Sequence, residues 1–137
     1  MRLVIDTNIT IGALIRDSLL RKIILSDIFE LYAPEYMFEE VLKHKNTILK
    51  KSGMNEDSFT ALIMLLEKHI SFVPKSEYIK NLGFAEEVMK EIDINDSIFI
   101  AASLTINCPV WSDDGHFDSQ DEVVVYKTED IVKLIKL

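Results

Sequence analysis

RLVIDTN, residues 2–8, is an apolar run that ends in a carboxylate followed by two small polar residues. It reads as a strand from Arg2 to about Asp6, with the next helix beginning close behind and Asn8 its plausible cap. Ile11, Leu14 and Ile15 then lie on one apolar helix face, and a second helix covers about Leu19 to Ser26. The same alternation runs to the end of the chain. FELYA is the second strand, closed by Pro34, and Glu35 to His44 reads as a helix with Met37, Val41 and Leu42 inward. Residues 46–69 give two more helices, broken near Gly53. ISFV is the third strand, ended by Pro74, and Ser76 caps a helix running to about Ile92. Asp96 opens the most apolar helix, with Ile98, Phe99, Ala101, Ala102 and Leu104. VWS and VVVY are the fourth and fifth strands, and Thr128, backed by Glu129 and Asp130, caps a short last helix. With no repeat or linker, the pattern predicts one domain over residues 1–137. Its class is α/β, a three-layer sandwich with a mainly parallel central sheet of about five strands.

Composition narrows the function. With 48% apolar residues, the 137-residue chain builds a real core and is not disordered. No apolar run approaches the roughly 20 residues that span a bilayer, so no membrane role is expected. Met1 and Arg2 lead straight into a strand bearing an acid, unlike a secretory leader. The single cysteine, Cys108, precludes an internal disulfide, reads as core, and fits a reducing, cytoplasmic setting. Net charge is −8, with 15 basic and 23 acidic residues, so the chain lacks the overall basic footprint of most nucleic-acid binders. Lys43, His44, Lys45, Lys50 and Lys51 cluster locally and read as a solvated helix face.

The acids carry the chemistry. In an open parallel sheet, ligands bind at the carboxyl ends of the strands. Asp6 ends a strand there. Asp113 and Asp114 directly follow another, so at least one faces the same edge. Asp96 is a helix cap or a site residue, with Asp93 one turn earlier as an outer carboxylate. Glu40 flanks the buried face of its helix more closely than Glu39. Thr7 and Asn8 either orient Asp6 or build the turn, and His116 reads as an incidental loop histidine. Converging carboxylates repel one another unless a divalent cation intervenes, and hard oxygen ligands select Mg²⁺ or Mn²⁺.

Together these segments resemble the PIN domain family of metal-dependent ribonucleases over essentially the whole chain. The carrying motifs are VIDTN, FEEVL, DINDSIFIAAS and SDDGHF. The resemblance implies a PIN-like, Rossmann-like sandwich and selects Glu40 over Glu39, Asp96, and Asp114 with Ser112 and Phe117. It implies Asp6, Asp96 and Asp114 as metal ligands, with Glu40 completing the catalytic set, and RNA as substrate. Thr7, Asn8, Asp93, Ser112 and Asp113 are the supporting residues. Asp113 adds a carboxylate where the family takes many residues, so Asp113 and Asp114 both stand as the fourth ligand. The compact size is similar to the toxins of VapBC-type toxin–antitoxin pairs, which implies a small antitoxin protein and a homodimer as partners.

Three rivals share parts of this pattern. A haloacid dehalogenase-type phosphatase needs a second acid two residues after Asp6, where Asn8 stands. A receiver domain needs paired acids at the first strand and a lysine after a late strand. Here the first strand offers Asp6 alone, and Lys127 lies outside the expected signature. A catalytically inactive PIN-like scaffold for protein or RNA binding is the third, and retention of all four acids argues against it.

Overall fold

A computed structural model describes residues 1–16, 18–90 and 94–136. In order they form β1 (Arg2–Ile5), α1 (Thr7–Ile15), α2 (Leu19–Leu25), β2 (Glu30–Pro34), α3 (Tyr36–Lys43), α4 (Lys45–Ser52) and α5 (Glu56–Glu67). There follow β3 (Ile70–Val73), α6 (Lys75–Val88), α7 (Ile94–Ile106), β4 (Val110–Trp111), a short 3-10 helix (Gly115–Ser119), β5 (Val125–Tyr126) and α8 (Thr128–Lys136). The strands make one sheet in the order β3-β2-β1-β4-β5, and every pairing is parallel. The expected sandwich is therefore present, and its sheet is wholly rather than mainly parallel.

Parallel strands need crossovers, and right-handed crossovers fix the layers. Moving outward from β1 to β2 and β3 puts α1 to α5 on one face. Returning past β1 to β4 puts α6 and α7 on the other. The packing agrees: α1 meets α2, α3, α4 and α5, whereas α7 pairs with α6 and lies on β1, β2 and β4. Covered on both faces, β1 has no reason to alternate, and Leu3, Val4 and Ile5 are all fully buried. Ala101 and Ala102 are also fully buried, and their small side chains let α7 lie close on the sheet. Trp111 is buried at the end of β4, and its Nε1–H donates to Thr128 Oγ1 at 3.0 Å, fastening α8 to the strand. Among the described residues, no helix is long and apolar enough to cross a membrane.

Several local expectations differ from the structure. Asp6, not Asn8, caps α1: its side chain accepts from the Ile9 N–H, and Asn8 sits in the first turn. Helix α6 starts after Pro74, one residue before Ser76, and runs without a break through Gly83. Leu42 is exposed, because the α3 stripe is satisfied by Met37 and Val41 alone. Helix α7 begins at Ile94, which places Asp96 in its first turn. Cys108 is free and half-buried, with burial pushing its thiol up.

Candidate active site

The strand order reverses between β1 and β4, since the chain moves one way from β1 to β2 and the other way to reach β4. At such a switch point neighbouring crossovers leave on opposite faces and open a crevice at the strands' carboxyl ends. A groove of about 150 Å³ lies there, lined by Asp6, Thr7, Asn8, Glu40, His44, Asn95, Asp96, Phe99, Asp114 and His116. Four of the acids expected from the sequence therefore share one groove.

Asp6 is the deepest of them, only 4% exposed. Its Oδ1 accepts from the Ile9 N–H at 2.9 Å, and its Oδ2 accepts from the Ser112 hydroxyl. Strand pairing makes the second contact: Ile5 faces Trp111, so the next residues on each strand, Asp6 and Ser112, emerge side by side. Burial nevertheless raises the carboxyl from 3.8 to about 6. The bonds from Ser112 and Ile9 pull it down, and the charges of Asp114 and Asp96 add to the rise.

Glu40 reaches the groove from α3. Thr7 Oγ1 donates to its Oε1 at 2.5 Å, while one turn along Thr10 Oγ1 lies 3.1 Å from Met37 Sδ. Thr7 and Thr10 on α1 thus face Met37 and Glu40 on α3, residues three apart on each helix. Glu39 is exposed beside them.

Asp113 and Asp114 diverge. The Asp114 N–H donates to Ser112 Oγ at 3.0 Å, which turns its carboxylate into the groove, where Oδ1 accepts from the His116 N–H at 2.9 Å. Asp113 turns toward α8 instead. It accepts from Thr128 N at 2.7 Å and Thr128 Oγ1 at 2.6 Å, and so supplies from outside the cap that Thr128 was expected to provide. Asp113→Ala should therefore cost about 1 kcal/mol of stability in urea unfolding, the usual price of a lost cap. Its cation affinity by isothermal titration should match wild type. A large loss of affinity would return Asp113 to the ligand set.

His116 and His44 are groove residues whose placement the sequence reading did not foresee. Phe117 is buried and anchors the 3-10 turn. Successive side chains in such a turn point about a third of a revolution apart, so burying Phe117 turns His116 elsewhere. Its Nδ1 lies 3.0 Å from Asp96 Oδ2 and 3.6 Å from Asp114 Oδ1. The pairing of Asp114 with a turn and an anchoring Phe was the available signal. His44 stands at the corner between α3 and α4. Of the neighbouring lysines, Lys43 lies over the Tyr36 ring, and Lys45 lies over Phe59 and pairs with Glu56 at 3.5 Å. Asp93 lies outside the described residues.

The donor set suits a divalent cation. Asp96, Asp114 and His116 each offer one ligand atom, all within 4.8 Å of one another. Asp6 stands near enough for the charges of Asp96 and Asp114 to raise its carboxyl, a repulsion that a bound cation would reverse. Oxygen-rich sites of this kind fit Mg²⁺ or Mn²⁺.

No curated protein matches the chain. A family model described as PIN domain matches residues 4–131, a span that takes in the end of β1, all of β2 to β5 and each of the groove residues named above. By that match, the chain belongs to the PIN domain family.

Proposed function

We propose that the protein is a metal-dependent endoribonuclease that hydrolyses internal phosphodiester bonds of RNA. The observation that supports this best is the meeting of Asp6, Glu40, Asp96 and Asp114 in one groove of a PIN domain. Asp6, Asp96 and Asp114 would hold Mg²⁺ or Mn²⁺, directly or through water. When bound, the cation lowers the pKa of a coordinated water and stabilises negative charge building on the phosphate.

The chain's own groups do the rest. Thr7 occupies one oxygen of Glu40 and fixes its carboxylate, which takes the proton of the attacking water. Ser112 holds Asp6 and the Asp114 backbone in register through one hydroxyl. Asn8, exposed at the rim, and His44 contact the sugar–phosphate backbone as it crosses the groove. With a net charge of −8 the chain captures RNA weakly, and salt weakens it further.

In its cellular role the protein is the toxin of a VapBC-type pair, by its resemblance to that group. Its antitoxin would insert a basic segment into the acidic groove, and the toxin would act as a homodimer. A neighbouring reading frame for a small DNA-binding protein would support this role.

The reaction itself is tested with purified protein, Mn²⁺ or Mg²⁺, and end-labelled single-stranded RNA at low ionic strength. Internal cuts leaving a 5′-phosphate and a 3′-hydroxyl, stopped by EDTA, are expected. Phosphate release from small esters without RNA cleavage would make it a phosphatase. Phosphate uptake on Asp6 from acetyl phosphate would make it a receiver, and RNA binding without cleavage a scaffold.

A further inference from the structure

The histidine at the groove rim has chemistry that the four acids lack. His116 Nδ1 approaches both Asp96 and Asp114, and the three ligand atoms lie within 4.8 Å of one another. Octahedral ligands about 2.1 Å from a small cation stand roughly 3 to 4.2 Å apart, so small side-chain rotations bring all three onto one ion. The backbone beneath the ring is fixed. The His116 N–H donates to Asp114, its carbonyl accepts from Ser119 Oγ at 2.9 Å, and Phe117 anchors the turn in the core. The ring is still 58% exposed, so it stands where an arriving ion first meets the protein.

We propose that His116 is a nitrogen ligand of the groove's cation site and gives that site its preference for Mn²⁺ over Mg²⁺. This rests on the metal-dependent reading above. Mg²⁺ gains little from imidazole, since it prefers hard oxygens and gives up its waters reluctantly, whereas Mn²⁺ accepts mixed nitrogen and oxygen ligands more readily. A carboxylate-only groove would discriminate less between the two ions. His116 thus adds selectivity, while the acids supply the charge.

Electron spin-echo spectroscopy of the Mn²⁺-loaded protein reads this directly, with no need for RNA. The wild type should show nitrogen modulation from a coordinated imidazole. His116→Gln should lose it, and His44→Gln, at the other histidine lining the groove, should keep it. By isothermal titration, His116→Gln should weaken Mn²⁺ binding about tenfold and Mg²⁺ binding no more than about twofold. Mn²⁺ bound without nitrogen modulation would overturn the proposal while leaving the acidic site standing. So would a signal that disappears with His44, or an equal loss of both ions in His116→Gln. A wild type that binds neither ion would overturn this proposal and the metal-dependent reading beneath it together.

Discussion

Asp6→Asn should make the cation-free protein more stable and the cation-loaded protein less so. Burial raises the Asp6 carboxyl to about 6 from 3.8. Between those pH values the folded protein keeps a proton that the unfolded chain has lost. Stability therefore falls as pH rises through that window, and the cost is complete above about pH 6. A shift of that size corresponds to about 3 kcal/mol at neutral pH. Asparagine escapes it, because its Oδ1 still accepts from the Ile9 N–H and its amide can donate to Ser112 Oγ. At pH 7.5 without metal, the variant should be more stable than wild type by about 1–3 kcal/mol in urea unfolding. Near pH 4 the two should converge. Mn²⁺ at about 1,000 times its dissociation constant should add about 4.1 kcal/mol to wild type and little to the variant, reversing their order. A variant destabilised at every pH without metal would show that Asp6 is structural rather than a strained ligand.

Asp96→Asn should remove RNA cleavage and leave the fold unchanged. Asp96 lies in the first turn of α7, with its side chain 18% exposed and facing the groove rather than the core. The substitution is nearly isosteric, so the melting temperature of the metal-free protein should stay close to wild type. What it removes is one unit of negative charge beside Asp114 and His116. Cleavage should fall about 100-fold or more, the scale on which losing one group that stabilises transition-state charge is felt. Equal cleavage by both proteins would mean a contaminating nuclease, or chemistry centred away from α7.

The sequence made β1 legible because its apolar run stops at a charge, and covered parallel strands read as continuous apolar stretches. Asp6, Glu40, Asp96 and Asp114 were placed in one groove by strand and helix ends, with motif resemblance choosing among neighbours. What stayed hidden depends on contacts between distant segments. Asp113 and Asp114 are adjacent, and only the approach of Thr128, fifteen residues on, separates a helix cap from a groove acid. Asp6 takes the cap expected of Asn8 because the strand ends one residue earlier, and a single carboxylate serves both cap and groove. His116 looked incidental since nothing local says that burying Phe117 turns its neighbour toward Asp96. The order of the strands, which makes β1 and β4 neighbours, is likewise a tertiary fact.

In the proposed function, a cation held by these acids drives hydrolysis of RNA. The most direct measurement follows single-stranded RNA cleavage by one metal-free preparation across a Mn²⁺ titration, alongside the Mn²⁺ binding isotherm of the same preparation. No cleavage is expected without metal, and the rate should rise with site occupancy. Cleavage that persists at full rate in EDTA, or a saturated site that cuts no RNA, would contradict the proposed function.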